Sequence, residues 1–165
     1  MDATPTTRTH EPGIRAEVTA LTTLTLTVFR LHGTLLQWGD ALVAPLGLTS
    51  ARWQMLGALA LAGTPLTAPQ VGDAMGVTRQ GAQKQLNLLL EQGLVQAQPN
   101  PAHRRSPRYV LTPRGQQLYA RAEAAWLARA ADLAHQIPPA EALVARQTLE
   151  TLRQQLSTIE LSEAP

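Results

Sequence analysis

Two short helices in close succession constrain this chain more than any other feature. In the stretch LTAPQVGDAMGVTRQGAQKQLNLLLEQGLV, Thr67 stands three residues before Gln70, the spacing of a capping box, and Val71, Ala74 and Met75 form the expected buried side of the helix it opens. Gly76 ends that helix sharply, because a residue without a side chain accepts the positive φ such a stop requires. Thr78 then caps a second helix, whose apolar positions Ala82, Leu86, Leu89 and Leu90 leave Arg79, Gln80, Gln83 and Lys84 on the opposite face until Gly93 stops it. Lys84 is the chain's single lysine, and Gly81 beside it keeps the surface shallow at some cost in helix propensity.

The residues after Gly93 complete the unit. LVQAQ and RYVL read as short strands joined by PNPAHRRSP, a Pro-rich basic loop expected at a hairpin tip. LTPRG reopens a helix with Thr112 as cap and Pro113 at the first helical position. Two helices joined by a tight turn, then a strand, a basic loop and a returning strand, make a winged helix-turn-helix. In such a unit the second helix lies in the major groove of duplex DNA. Arginine and lysine there pair with guanine acceptors and glutamine with adenine, each good bidentate contact giving roughly 1–3 kcal/mol of discrimination. Arg104 and Arg105, at the wing tip, are suited to the narrow minor groove or to phosphate, and Arg108 to the DNA backbone. Arg114 reads equally as a backbone contact or as a solvated residue at a helix start.

The charge distribution agrees. The net charge is only +2, but between Thr78 and Arg114 six basic residues face Glu91 alone, while the rest of the chain holds eight basic and eleven acidic residues. A basic block in an otherwise mildly acidic chain is the footprint of a phosphate-binding surface, and by count alone a merely solvated charged face fits equally well.

The flanks are helical. Leu21, Leu24, Val28, Leu31, Leu35, Trp38 and Leu42 advance by steps of three and four, giving one long helix that ends near Pro45, although LTTLTLTV within it also fits a strand. GLTSARWQMLGALALAG restarts with Thr49 as cap, carries Trp53, Leu56, Leu59 and Ala60 inward, and stops at Gly63. A helix from Pro113 to about Ile137 is broken by IPP, and a last one carries Ala142, Ala145, Leu149, Leu152, Leu156 and Ile159. The resulting fold class is mainly α with a small β-hairpin. Residues 1–13 are expected as a frayed tail, 14–45 as an N-terminal dimerisation helix, 46–112 as the DNA-binding lobe and 113–165 as C-terminal dimerisation helices. The outer seams are more apolar surface than one small lobe covers, so a homodimer is expected. Its recognition helices should then address half-sites roughly 34–36 Å apart in a pseudo-palindrome.

Taken together these residues resemble the multiple-antibiotic-resistance regulator (MarR) family of bacterial winged-helix transcription factors. The likeness runs from about Arg15 to Ile159 and is most specific in the helix-turn-helix and in NPAHRRSPRYVLTPRG, where LTPRG stands in the place of the family's LTxxG. It implies a dimer with intertwined terminal helices that represses promoters until a small molecule or oxidant weakens DNA binding. It also implies an effector pocket between the dimer helices and the DNA-binding lobe. His32, Trp38, Arg52, Trp53 and Trp126 are the candidates for that pocket, with a small aromatic or anionic effector, although each tryptophan taken singly reads as core. The chain departs from the family in the wing, where Asn100 and His103 occupy places that often hold acidic residues able to orient an arginine. Protonation of His103 would add to the positive tip, so DNA affinity is expected to strengthen on mild acidification.

Several classes are disfavoured. With no cysteine there are no disulfides or thiolate sites, and His10, His32, His103 and His135 show no ligand spacing, so neither a metal nor a cofactor is expected. Ser50, Ser106, Ser157 and Ser162 lack a GxSxG setting and no phosphate loop is present, so an enzyme is not expected. The start MDATPTTRTHEPG lacks the pattern of a secretory signal, and the longest apolar run, Met55–Ala62, is too short to span a bilayer, so a cytoplasmic location is expected. The alternative to a DNA-binding regulator is a winged-helix protein-interaction module without DNA binding, which has no evident need for basic residues on both helix and wing.

Overall fold

The threonine-rich segment that fits strand or helix is helical, and its hydroxyls are accommodated within the helix. In the computed structural model, which describes residues 12–159, the first helix α1 runs Pro12–Val43. The hydroxyls of Thr19, Thr22, Thr23, Thr25, Thr27 and Thr34 each donate to the carbonyl four residues earlier, at 2.8–3.0 Å. Each therefore satisfies its polar group within the helix and leaves the leucines to form the seam. Of the expected tail, the part up to residue 11 lies outside the described residues, as does His10, and the helix itself starts at Pro12.

A 3-10 turn, Ala44–Leu46, and Gly47 at φ 71° redirect the chain into α2, Ser50–Ala62. Thr49 caps α2 as its sequence position predicts, its hydroxyl accepting from the Arg52 N–H at 3.4 Å. Asp40 and Ser50 pin α1 to α2: the Ser50 N–H donates to Asp40 Oδ1 at 2.6 Å and Ser50 Oγ donates to the Leu36 carbonyl at 2.9 Å. A Cβ at Gly39 would fall on Ser50 Oγ, so the close approach there depends on glycine. Met55, Leu56, Ala58 and Leu59 are buried, so α2 is enclosed on more sides than the expected stripe of Trp53, Leu56, Leu59 and Ala60.

The strand β1 (Leu66–Thr67) leads directly into α3, Ala68–Met75, which buries Ala68, Val71 and Gly72. Ala74 is exposed rather than buried, because the close face of this short helix lies one position round, where a Cβ on Gly72 would stand 2.9 Å from the Val77 carbonyl. Gly76, at φ 65°, makes the turn into α4, Arg79–Glu91. Ala82, Leu86 and Leu89 of α4 are fully buried, whereas Leu90 is 42% exposed.

The strands β2 (Val95–Gln98) and β3 (Arg108–Leu111) pair antiparallel, with Val95 opposite Leu111 and Gln98 opposite Arg108. On its other edge β3 pairs with β1, Leu66 opposite Tyr109, so the sheet has three strands in the order β1-β3-β2. The expected hairpin is present, and the third strand is too short to carry a periodic sequence signal. Alternation along β3 puts Arg108 outside and Tyr109 inside.

The helix α5, Pro113–Ala134, opens on Thr112, whose hydroxyl accepts from the Gly115 N–H at 3.1 Å and donates to the Gly93 carbonyl at 2.8 Å. The chain divides after Tyr119 into two compact units. In the second, the rest of α5 and α6, Pro139–Thr158, expose large apolar residues, among them Leu127, Val144 and Leu156. No described helix is long and apolar enough to cross a membrane.

Candidate nucleic-acid interface

The start of α4 is built from the turn outward. Thr78 is its N-cap, accepting from the Gly81 N–H at 3.0 Å. Arg79, Gln80 and Lys84 are exposed and Gln83 is half-buried, on the face opposite Ala82, Leu86 and Leu89, as the sequence pattern predicts. An open groove of about 660 Å³ runs along this face, lined by Arg79, Gln80, Gln83, Lys84, Asn87 and Leu88.

The wing supplies a second, more basic cleft. Arg79, His103, Arg104, Arg105, Ser106, Thr67 and Pro69 line about 510 Å³ between the α4 start and the loop tip. Arg79 therefore belongs to both surfaces and joins helix face to wing. Arg104, Arg105 and Arg108 are exposed. Among the described residues no carboxylate is in ion-pair contact with Arg79, Lys84, Arg104, Arg105 or Arg108, and pairs such as Arg129–Asp132 and Arg153–Glu150 lie in the second unit. The positive field over helix and wing is thus uncompensated locally. Arg114 takes a different role, donating from its guanidinium to the Gln92 carbonyl at 3.2 Å, where it satisfies the C-terminal end of α4.

The hydrogen-bond partners of Asn100 and Gln83 are not evident in the sequence. Asn100, only 5% exposed, donates from Nδ2 to the Ser106 carbonyl at 2.9 Å, and the His103 N–H donates to the Asn100 carbonyl at 3.1 Å. A neutral side chain thereby closes the wing loop at a place where the resemblance leads one to expect an acid. Tyr109, the buried residue of β3, accepts through its hydroxyl from Gln83 Nε2 at 2.7 Å, and Asn87 Oδ1 accepts from the same nitrogen at 2.8 Å. The signals that could have found them are the strand alternation that turns Tyr109 inward and the four-residue step from Gln83 to Asn87.

The candidate effector residues are spread over the helices. His32 is exposed on α1, Trp38 half-buried on the same helix, Arg52 and Trp53 half-buried on α2, and Trp126 half-buried on α5 beyond the unit boundary. The Arg52 Nε reaches Thr49 Oγ1 at 3.4 Å. None of the five lines either basic cleft, nor the 420 Å³ recess between the end of α2, β3 and the start of α5.

Tight turn, groove-facing helix and arginine-tipped hairpin together define a winged helix-turn-helix protein. Residues 46–106 match the pattern of the MarR family. An uncharacterized protein of Mycobacterium tuberculosis (strain ATCC 25618 / H37Rv) is 43% identical over 91 residues, covering 55% of this chain and 62% of that protein. The chain thus spans less than two thirds of the length of the curated relatives it matches. Among solved structures, a MarR family transcription regulator superposes with a TM-score of 0.70 at 25% identity, over 88% of this chain and 95% of that one. The transcriptional regulator PA3341 gives 0.69 at 28% identity, over 84% and 99%. The M. tuberculosis regulator MosR, solved in complex with DNA, gives 0.69 at 23% identity over 83% and 98%, a likeness of fold. Over residues 46–106 the winged helix-turn-helix of this chain is thus similar to that of the MarR family.

Proposed function

We propose that this chain is a sequence-specific, duplex DNA-binding transcriptional regulator, working as a homodimeric repressor released by a small molecule. The observation that carries the reading is the position of Arg79, which lines both the α4 groove and the wing cleft, with no carboxylate among the described residues in ion-pair contact with it. One continuous basic surface of helix and hairpin suits a duplex, whose major groove takes the helix while the adjacent backbone and minor groove take the wing. In this reading Arg79, Gln80, Gln83 and Lys84 face bases, Thr78 sets the start of the helix against phosphate, and Arg104, Arg105 and Arg108 clamp backbone or minor groove.

Dimerisation through the segments 14–45 and 113–165 is supported by exposed apolar side chains on their described helices, with Val18 at 55% and Phe29 at 69% on α1 and Val144 and Leu156 at 61% on α6. A small-molecule effector would release DNA if it bound more tightly to a dimer with the wrong spacing of recognition helices.

The test is binding of the purified protein to duplex DNA from upstream of its own gene across a salt series, with and without candidate aromatic acids. Log affinity should fall linearly with log salt. Absence of binding at low salt would sink the DNA reading in favour of a protein-interaction module. Unchanged affinity at saturating effector would remove that effector from the release scheme.

A further inference from the structure

The amide of Gln83 is already half spent. Its Nε2 donates to the Tyr109 hydroxyl at 2.7 Å and to Asn87 Oδ1 at 2.8 Å. A primary amide has two N–H donors and one carbonyl acceptor, so both donors are engaged inside the protein. Only Oε1 remains to face the groove that Gln83 lines together with Arg79 and Lys84. The usual pairing of glutamine with adenine needs a donor for N7 and an acceptor for the N6 amino group at the same time, and this side chain cannot supply the donor while it holds both partners.

We propose that Tyr109 and Asn87 fix Gln83 as an acceptor-only reader, so that it selects the bases bearing an exocyclic amino group in the major groove, adenine or cytosine, and rejects guanine and thymine. The inference rests on the DNA-binding reading and specifies its chemistry. In the major groove adenine N6 and cytosine N4 are donors, whereas guanine O6 and thymine O4 are acceptors that would face the Gln83 oxygen without a proton between them. Arg79 and Lys84 carry donors only, so the same short face sorts bases by opposite rules at neighbouring positions. Tyr109 matters through geometry. It is 3% exposed, on the strand that returns from the wing, and its hydroxyl holds the Gln83 nitrogen away from DNA. It is a positioning residue that touches no base.

The experiment selects duplexes from a randomised pool with the wild-type protein, with Gln83→Ala and with Tyr109→Phe, which keeps the buried ring. The position whose preference disappears in Gln83→Ala is the one Gln83 reads, and wild type should demand adenine or cytosine there. Replacing that base by its analogue without the amino group, purine or 2-pyrimidinone, should weaken wild-type binding by about tenfold and leave Gln83→Ala unchanged. Where the base is adenine, 7-deazaadenine should bind wild type as well as adenine does. Tyr109→Phe frees one N–H and should admit guanine or thymine at that position. Guanine or thymine demanded by wild type, equal losses from the amino and 7-deaza changes, no Gln83-dependent position, or a Tyr109→Phe preference identical to wild type would each overturn the proposal while leaving DNA binding intact. Failure of wild type to enrich any sequence would overturn the DNA-binding reading, and this inference with it.

Discussion

Asn100 closes the wing onto Ser106 with a single 2.9 Å hydrogen bond from its buried amide to the Ser106 carbonyl, and the two arginines of the tip lie between these residues in the chain. The bond is one-sided. Asn100 Oδ1 is also buried and has no hydrogen-bond partner among the described residues.

Asn100→Ala should therefore loosen the tip without unfolding the lobe. The expected signs are faster tryptic cleavage after Arg104 and Arg105, a stability loss of about 1 kcal/mol, and weaker binding to every duplex tested. Cleavage rates equal to wild type would show that the loop holds its shape by other means.

The arginines themselves divide into two groups. Arg104→Ala and Arg105→Ala should each lower the slope of log affinity against log salt by about 0.9, with similar losses on selected and random DNA. Arg79→Ala should also relax base preference, because Arg79 lines the α4 groove as well as the wing cleft. Arg114→Ala should leave the slope unaltered, since its guanidinium is engaged with the Gln92 carbonyl at the end of α4. A slope that drops equally in Arg114→Ala would place that residue on DNA instead.

Gly115 explains why a glycine stands in LTPRG. A Cβ there would collide with the Leu94 carbonyl oxygen, which already accepts the Thr112 N–H at 3.1 Å where the sheet meets α5. Gly115→Ala should cost about 1–3 kcal/mol, with little room for relief because the obstacle is backbone. Urea midpoints at one fixed protein concentration measure this, and a shift within error would mean that the α5 start can move aside.

How far the sequence led can be judged at these same residues. Thr49, Thr78 and Thr112 were legible as caps and Gly63 and Gly76 as stops, because capping chemistry acts within three or four residues and leaves a local trace. The basic face of α4 was legible from its period. Gln83 was legible as a member of that face, but its bond to Tyr109 joins residues 26 apart in sequence and depends on tertiary structure that brings β3 to α4. The wing clasp was hidden for a related reason: an asparagine in a Pro-rich loop looks like ordinary turn chemistry until its burial is known. Leu90 misled because a leucine at helical spacing is apolar whether its face is covered or bare.

That bare apolar surface gives the last prediction. On α1, Ile14, Val18 and Leu21 are 43–55% exposed and step by four and three, and Phe29 further along is 69% exposed. Side chains of this size on one side of a long helix form a continuous strip that water covers poorly, and pairing with a second copy removes it at roughly 25 cal/mol for each Å² buried. A charge placed in the strip must either be buried unpaired or prevent the pairing. Val18→Glu combined with Phe29→Glu should therefore shift the protein from dimer to monomer in sedimentation equilibrium, while far-UV circular dichroism keeps its helical shape. On a two-half-site duplex the variant should bind weakly, whereas its contact with an isolated half-site should match that of one wild-type lobe, because the winged unit itself is untouched. Retention of a wild-type dimer by the double variant would assign the strip another occupant and remove α1 from the interface.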